Sequence, residues 1–507
     1  MVFRIAVVLV ATFVALGVFA PGTLSTGVNA ALAFSLDRFG WFYLLTMLGF
    51  LAFAGFLAFS RYGNIRLGGE DAEPDYSTLS WFAMLFAAGM GIGLVFYGAA
   101  EPVSHYAAPP AGLDAQTTMA AREAMRYTFF HWGLHPWAAY AIVALALAYT
   151  QFNLKRPALI SSALIPLLGE KRIASGWGQA IDILAIVCTA FGVATSLGLG
   201  AAQIATGLKS VWGVDNGSTT QLIIIVVATL AFLVSAMTGV AKGIQWLSNI
   251  NLALAALVAA ILLIVGPTFF ILETFTTTLG GYLNNLIAQS LRLTPFSGNS
   301  WAKDWTVFYW AWWITWSPFV GLFIANISRG RTLREFVIGV MLVPTLVSFA
   351  WFSIFGGTAL SQILAGNTGL IAAVQADMSS ALFSLFASLP AAGVLSVMAV
   401  ILLLVFFVTS ADSATFVLAQ LSSRGVGAPP NSHKLVWGLL IAAVAAVLLM
   451  SGGLKALQTM VIVTALPFAV LMIGLCVSLL RSLRADLRAT TLREQRRRAK
   501  VDELLTR

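Results

Sequence analysis

Five tryptophans, Trp305, Trp310, Trp312, Trp313 and Trp316, fall within twelve residues of the apolar stretch WTVFYWAWWITWSPFVG. Indole faces attract cations, by about 0.5–2 kcal/mol per face depending on desolvation. A quaternary ammonium group has no N–H to donate, so a cage of aromatic faces is the means by which a protein holds one. The competing reading is helix packing, because tryptophan in a membrane protein gathers at the interface, where its N–H reaches water. A mid-segment cluster therefore needs partners inside the protein under either reading.

A second stretch, WFAMLFAAGMGIGLVFYGAAEP at 81–102, sets Gly89, Gly91 and Gly93 at alternate positions. Each glycine weakens a helix by about 0.8–1 kcal/mol relative to alanine, and together they cover more than one face. Close helix packing is one use for them. An unwound stretch with free carbonyls is the other, and broken helices are how many secondary transporters coordinate cations.

The remaining candidates for chemistry are few. His131 and His135 stand four apart in HWGLH, but no glutamate occupies the place that a metalloprotease base requires. Glu101, Asp182 and Asp412 lie in or near apolar segments and are functional suspects for that reason. Asp412 is expected to act through hydrogen bonds that shape the region of Thr409 and Ser410. Cys188 and Cys476 both fall in apolar runs, so neither a disulfide framework nor a cysteine metal site is indicated. No nucleophile with a base and no metal triad marks an enzyme, and no cofactor is implied.

These residues sit in a chain of 507 residues that is 59% hydrophobic and 10% charged, with mean hydropathy +0.89. Soluble domains carry about 25% charged residues, so this chain belongs to a membrane. Apolar runs of spanning length are placed at 3–20, 38–59, 82–100, 126–150, 180–208, 221–240, 250–275, 304–327, 337–360, 385–420, 434–451 and 458–480. The run behind Arg4 is read as the first span and not as a cleaved leader. Barrel-type alternation is absent, which leaves an all-α polytopic bundle of twelve transmembrane helices. With both termini cytoplasmic, 22 of the 29 Lys and Arg fall on the inner side, so the net charge of +9 sets orientation and no nucleic-acid partner is needed. The connector 276–303 mixes apolar and polar residues at helical spacing, as an amphipathic helix on the outer surface does. The glycine-rich and tryptophan-rich segments each open a block of five spans, which suggests two inverted repeats meeting at a site.

AAGMGIGLVFYGAAEP, FHWGLHPWAAYAIVALALAY, WTVFYWAWWITWSPFVG followed by ISRGRTLREF, and FFVTSADSATFVL together resemble the betaine/choline/carnitine transporter (BCCT) family over about residues 60–425. The resemblance implies a leucine-transporter-like fold. Two peripheral helices at 1–60 precede five-helix repeats at 61–275 and 304–480, joined by the periplasmic connector 276–303 and followed by the basic cytoplasmic tail 481–507. It also implies a homotrimer in the inner (plasma) membrane.

Carried onto this sequence, the family's substrate cage resembles Trp132, Trp137 and Tyr140 in the fourth span and Trp312, Trp313 and Trp316 in the eighth, with Met90 and Gly93 nearby. On one continuous helix the three fourth-span residues would converge on one cavity. The first sodium site resembles the carbonyls of Ala87, Met90 and Phe406 with the hydroxyls of Thr409 and Ser410; a second would use Thr189 and Phe319. The pattern of sodium-coupled betaine carriers has another threonine one turn past Thr189, where this chain has Val193, which puts the second site in doubt. Family members that exchange without sodium carry a fixed cation in the core, and no Lys or Arg lies between Arg172 and Lys209. Gly93 replaces the aspartate typical of choline carriers, which favours a zwitterion with its own carboxylate. The expectation is a sodium symporter of glycine betaine or a similar quaternary-ammonium zwitterion, serving osmoprotection. Its alternative is a proton-coupled or exchange-type carrier of choline, carnitine or a sulfonium analogue. The tail, with nine basic and four acidic residues, is expected to be helical and able to meet anionic lipid.

Overall fold

The computed structural model describes residues 1–505 apart from Met90, Gly239, Val240, Arg424 and Val426. Among the described residues all regular structure is helical, with one isolated bridge between Arg66 and Thr332. The long helices are α1 (Val2–Phe19), α2 (Pro21–Phe59), α3 (Thr78–Gly89), α4 (Ile92–Ala107), α5 (Thr118–Trp132), α6 (Leu134–Phe152) and α7 (Gly176–Trp212). They continue as α8 (Ser218–Thr238), α9 (Ala241–Val265), α10 (Thr268–Ser290), α11 (Phe308–Asn326), α12 (Leu333–Leu364), α13 (Ala392–Ser422) and α14 (Asn431–Leu505). Among the described residues nine helices are long and apolar enough to cross a membrane. Helical hydrogen bonding satisfies their backbone groups within each segment, as lipid requires. The chain is a multi-pass membrane protein.

One expected helix break and two departures from the sequence expectation all turn on glycine. The third and fourth expected spans are each two helices, α3/α4 parted beside Gly91 and α5/α6 parted at Gly133. A Cβ on Gly133 would lie 2.6 Å from the Phe129 carbonyl oxygen and 2.8 Å from the Tyr282 hydroxyl, so no larger residue fits there. That hydroxyl accepts the Leu134 N–H at 3.0 Å and satisfies one of the free donors at the start of α6. The last two expected spans form one helix, α14, broken in direction at Gly452 and Gly453. Gly453 has φ +58° with ψ −139°, a conformation that side chains resist.

The connector expected as a surface helix over 276–303 is α10, which starts earlier, at Thr268, and ends at Ser290. It is more than a surface cover, because Tyr282 is buried at the α5/α6 break and Ser290 Oγ lies 2.9 Å from His135 Nε2.

Burial separates centre from rim. The spanning window of the segment ending in α11 is 89% buried and that of α7 is 83%, against 11% for α1 and 22% for α9. The tryptophan-rich helix is therefore the axis about which the others pack. On the side bearing the arginine-rich loops, the segment 65–67 pairs with 331–333 through Leu67 N–H to Arg331 O and Leu333 N–H to Ile65 O, both 2.9 Å. Arg331 donates to Tyr76 O at 2.7 Å and Thr78 Oγ1 at 3.0 Å, and lies over the Trp81 ring. Thr332 and Glu335 close a capping box at the start of α12, which fixes where that helix begins.

Candidate functional site

The break at residue 91, the end of α5 and the middle of α11 meet at one place. Gly93, Trp132, Tyr140, Trp312, Trp313 and Trp316 line one small cavity of about 30 Å³, together with Gly91, Leu94 and Ser196. Trp312 and Trp313 stack at 5.1 Å, and Trp132 meets Trp313 edge-on at 4.8 Å. That volume suits a water or two and no larger guest, so the rings must part to admit a trimethylammonium group. A Cβ on Gly93 would approach Trp312 Cη2 to 2.7 Å and Trp132 Cη2 to 3.1 Å, which makes this glycine the floor against which the indoles close.

Trp137 does not line the cavity; it packs edge-on against Tyr140 at 5.5 Å. The one-helix argument that grouped it with Trp132 and Tyr140 fails because the helix stops at Gly133. Met90, expected at both the cage and the cation set, lies outside the described residues.

Each indole N–H in the cage needs an acceptor once it is out of water. Trp132 donates to Glu101 Oε2 at 2.7 Å, Trp313 to the His131 carbonyl at 3.0 Å and Trp316 to the Gly192 carbonyl at 2.8 Å. Trp312 Nε1 is buried with no partner among the described residues.

Behind the cage, Glu101 is fully buried and meets four groups. Its Oε1 lies 2.6 Å from His131 Nδ1 and 3.1 Å from His105 Nε2. Its Oε2 accepts from Trp132 and from the Tyr309 hydroxyl at 2.5 Å. His131 Nε2 continues to Thr306 Oγ1 at 3.0 Å. The Glu101, His105 and His131 ligand atoms lie within 4.8 Å of one another, as a metal would require. Both carboxylate oxygens are already engaged, however, and a hydrogen-bond network accounts for the group without an ion. Tyr97, His105, Trp305 and Tyr309 pack over this side of the cage, with Tyr97 edge-on to Trp312 at 5.9 Å and His105 edge-on to Trp305 at 4.5 Å.

On the opposite side of Trp316 the space opens. Phe406, Thr409 and Ser410, expected at the first cation set, line a cavity of about 120 Å³ with Trp316, Phe319, Ser248 and Asn251. The Thr409 hydroxyl donates to Val405 O at 2.8 Å, which leaves its oxygen lone pairs for a cation. Ala87 falls in the last turn of α3. This cavity shares Ser248, Leu252, Phe319, Phe323 and Ser413 with a vestibule of about 660 Å³ that reaches Asp412 and Lys434 on the side of the basic loops.

Thr189, expected at the second cation set, is buried on α7 with its hydroxyl donated to Ala185 O at 2.8 Å, and it does not line the cavity that Phe319 lines. Asp412 departs from its expected role: it makes no hydrogen bond among the described residues and lines the vestibule instead. Asp182 is a loop anchor that accepts the N–H and hydroxyl of Ser161 at 3.0 and 2.7 Å. Ser196 was not among the residues the motifs pointed to. Its one signal in sequence is a spacing of seven from Thr189, which places both on one face of α7.

A carrier is what these features fit: two interrupted helices at an aromatic pocket, which shares Gly91 and Trp316 with the cavity that meets the vestibule. The family model for BCCT, the betaine/carnitine/choline family transporters, matches residues 1–488, and the chain belongs to that family. It is 50% identical over 489 residues to the glycine betaine transporter OpuD of Bacillus subtilis, covering 96% of this chain and 95% of that one. It is 44% identical over 483 residues to an ectoine/hydroxyectoine transporter of Virgibacillus pantothenticus (95% and 96%), and 45% identical over 479 residues to a probable glycine betaine transporter of Desulfitobacterium hafniense (94% and 95%). The protein is therefore a transporter and not an enzyme.

Proposed function

We propose that the protein imports glycine betaine or a closely similar zwitterion by sodium symport, with the aromatic pocket of Trp132, Tyr140, Trp312, Trp313 and Trp316 as the substrate site. The observation that carries this is the convergence of those five rings on one cavity floored by Gly93, where the ring faces supply cation–π attraction and no carboxylate stands in the lining among the described residues. A substrate that brings its own negative charge fits such a site better than a bare cation. The relatives named for glycine betaine support this choice, and the relative named for ectoine widens it to compact zwitterions.

Sodium coupling draws support from the oxygen-bearing wall of Thr409 and Ser410 beside Trp316. One ion is the reading for this chain, since Val193 brings no oxygen to the second set. Counting the two interrupted segments as spans and dividing α14 at Gly452–Gly453 gives twelve, in keeping with two peripheral helices and two inverted repeats. On this reading the basic side is cytoplasmic, both termini lie there in the plasma membrane, and the vestibule at Asp412 is the inner exit. The tail helix meets anionic lipid, the assembly is a homotrimer, and the cell uses the carrier for osmoprotection. No Lys or Arg between Arg172 and Lys209 disfavours sodium-independent exchange.

Uptake of labelled glycine betaine into proteoliposomes, with and without an inward sodium gradient at fixed membrane potential, tests the proposal. Concentrative uptake that requires sodium is expected. Uptake indifferent to sodium overturns the coupling, and uptake of choline in preference to glycine betaine overturns the substrate assignment.

A further inference from the structure

The pocket rings that α5 and α6 supply stand on opposite sides of a helix break: Trp132 is the last residue of α5, and Tyr140 belongs to α6. Whatever fixes the angle between these two helices therefore fixes the gap between those two rings. Left to itself the joint is weak. Gly133 is non-helical, with φ −89° and ψ −134°, it has no side chain to hold it, and the first donors of α6 lack helical acceptors.

The outer helix α10 supplies what the joint lacks. Tyr282 is buried, its hydroxyl accepts the Leu134 N–H at 3.0 Å, and the same hydroxyl stands 2.8 Å from where a Cβ on Gly133 would lie. Farther along α10, Ser290 holds the next residue of α6. Its hydroxyl donates to Leu286 O at 2.6 Å, so it meets His135 Nε2 at 2.9 Å as an acceptor, and the ring hydrogen sits on Nε2. His135 in turn stacks at 5.0 Å on Trp310 of α11, the helix that carries Trp312, Trp313 and Trp316. On the α5 side, the Phe349 ring of α12 takes Phe129 face to face at 4.0 Å and Tyr282 edge-on at 5.0 Å. Two consecutive residues of α6 are thus tied to α10, and Phe349 links the same tyrosine to α5.

We propose that Tyr282 is a positioning residue for the aromatic pocket: its hydroxyl, outside the pocket lining, sets the angle at which α6 leaves α5 and with it the gap between Trp132 and Tyr140. Ser290 sustains the same setting through His135. The proposal rests on the reading of those rings as the substrate site. With the hydroxyl in place the rings are held ready for the ligand; without it the ligand must itself draw them together, and that ordering is subtracted from its affinity.

Tyr282→Phe tests it, because the change removes the acceptor of the Leu134 N–H and keeps the ring against Phe349. In proteoliposomes KM for glycine betaine is expected to rise about tenfold while kcat changes by less than about twofold, and tryptophan fluorescence of the purified full-length protein should show the same loss of affinity. Phe275→Leu separates positioning from mere stability, since Phe275 of α10 packs edge-on against Phe129 at 6.3 Å but makes no bond at the joint. It is expected to lower Tm as Tyr282→Phe does and to leave KM within about twofold. Ser290→Ala, a milder change at the second tie, should raise KM about threefold, and it decides the matter if Tyr282→Phe does not fold. Wild-type KM in both Tyr282→Phe and Ser290→Ala, or an equal rise in Phe275→Leu at the same fall in Tm, overturns the proposal and leaves the substrate reading in place. Wild-type protein that fails to bind glycine betaine overturns the substrate reading, and the positioning role falls with it.

Discussion

Glu101 offers the sharpest test of how the cage is held. Its two oxygens meet His131, His105, Trp132 and Tyr309, an arrangement that suits an ionised carboxylate, and its side chain has no access to solvent. Glu101→Ala would strand those groups at roughly 1 kcal/mol or more each, about 4 kcal/mol in all, a large part of any membrane protein's stability. Glu101→Gln behaves differently. An amide keeps one acceptor oxygen for Trp132 and Tyr309 and turns its NH₂ toward the two histidines, either of which can accept by changing tautomer. Each surviving bond loses its charge assistance, about 1 kcal/mol, but the cost of burying a charge is relieved in return, so the fold survives. What the glutamine cannot replace is the negative charge behind Trp132. Two charges 4 Å apart at an effective dielectric of 20 interact by about 4 kcal/mol, and with an indole between them about half remains, near 2 kcal/mol. At 1.4 kcal/mol per decade this is roughly a 30-fold rise in KM for glycine betaine, with kcat changed much less. Thermal melting of purified protein and initial rates in proteoliposomes measure both. A Glu101→Gln protein with unchanged KM would refute the electrostatic part, and a Glu101→Ala protein with wild-type Tm would refute the structural part.

Three further outcomes are expected. Gly93→Ala should raise KM for glycine betaine at least tenfold, because its methyl would sit 2.7 Å from Trp312 Cη2, and Gly93→Asp should lose glycine betaine while gaining choline uptake, both read by competition for labelled substrate. Val193→Thr adds an oxygen one turn from Thr189 in a fully packed wall; sodium activation should become steeper, with a Hill coefficient moving from about 1 toward 2, at a stability cost on the order of 1 kcal/mol. Asp412→Asn should leave Tm within about 2 °C, since the carboxylate has no hydrogen bond to lose, but should slow turnover and weaken the response to sodium if the vestibule carries cations outward from the cage. An Asp412→Asn protein with lowered Tm and normal turnover would point back to a structural role.

The membrane class and the ring residues were legible in the sequence because both are matters of residue type. Apolar runs must span lipid in any sequence order, and indoles in the middle of such a run stand out before any contact is known. The helix breaks were only half legible. The alternating glycines at 89–93 announced theirs, but Gly133 stood alone in an otherwise strong helix, and what decides it is the hydroxyl of Tyr282, 149 residues away. That single break moved Trp137 out of the cavity lining. The partners of Glu101 come from α5 and α11, 30 and 208 residues along the chain, and no periodicity records such a meeting. Ser196 was invisible for a different reason: a serine in a small-residue helix becomes informative only when the cavity that it lines is seen.

The same bonds that order the cage also define what must give when the carrier turns over. The ring cluster of Tyr97, Trp305 and Tyr309 is tied across α4, α5 and α11 by Glu101, while Trp316 ties α11 to α7 through the Gly192 carbonyl. The Tyr309–Glu101 bond joins α11 to α4 on that side and, being charge-assisted, is worth about 1.5–3 kcal/mol. In the cavity beside Trp316, by contrast, Thr409 donates only within its own helix and Asn251 Oδ1 has no partner among the described residues. On the proposed transport reading, the Tyr309–Glu101 bond weights the balance between the two states of the carrier toward this one. Tyr309→Phe, which removes only the hydroxyl, should shift that balance toward the alternative state and make a cysteine placed beside Trp305 more reactive to an impermeant maleimide in the absence of substrate. Unchanged reactivity in Tyr309→Phe would show that ring packing alone, and not the Glu101 bond, keeps that side shut.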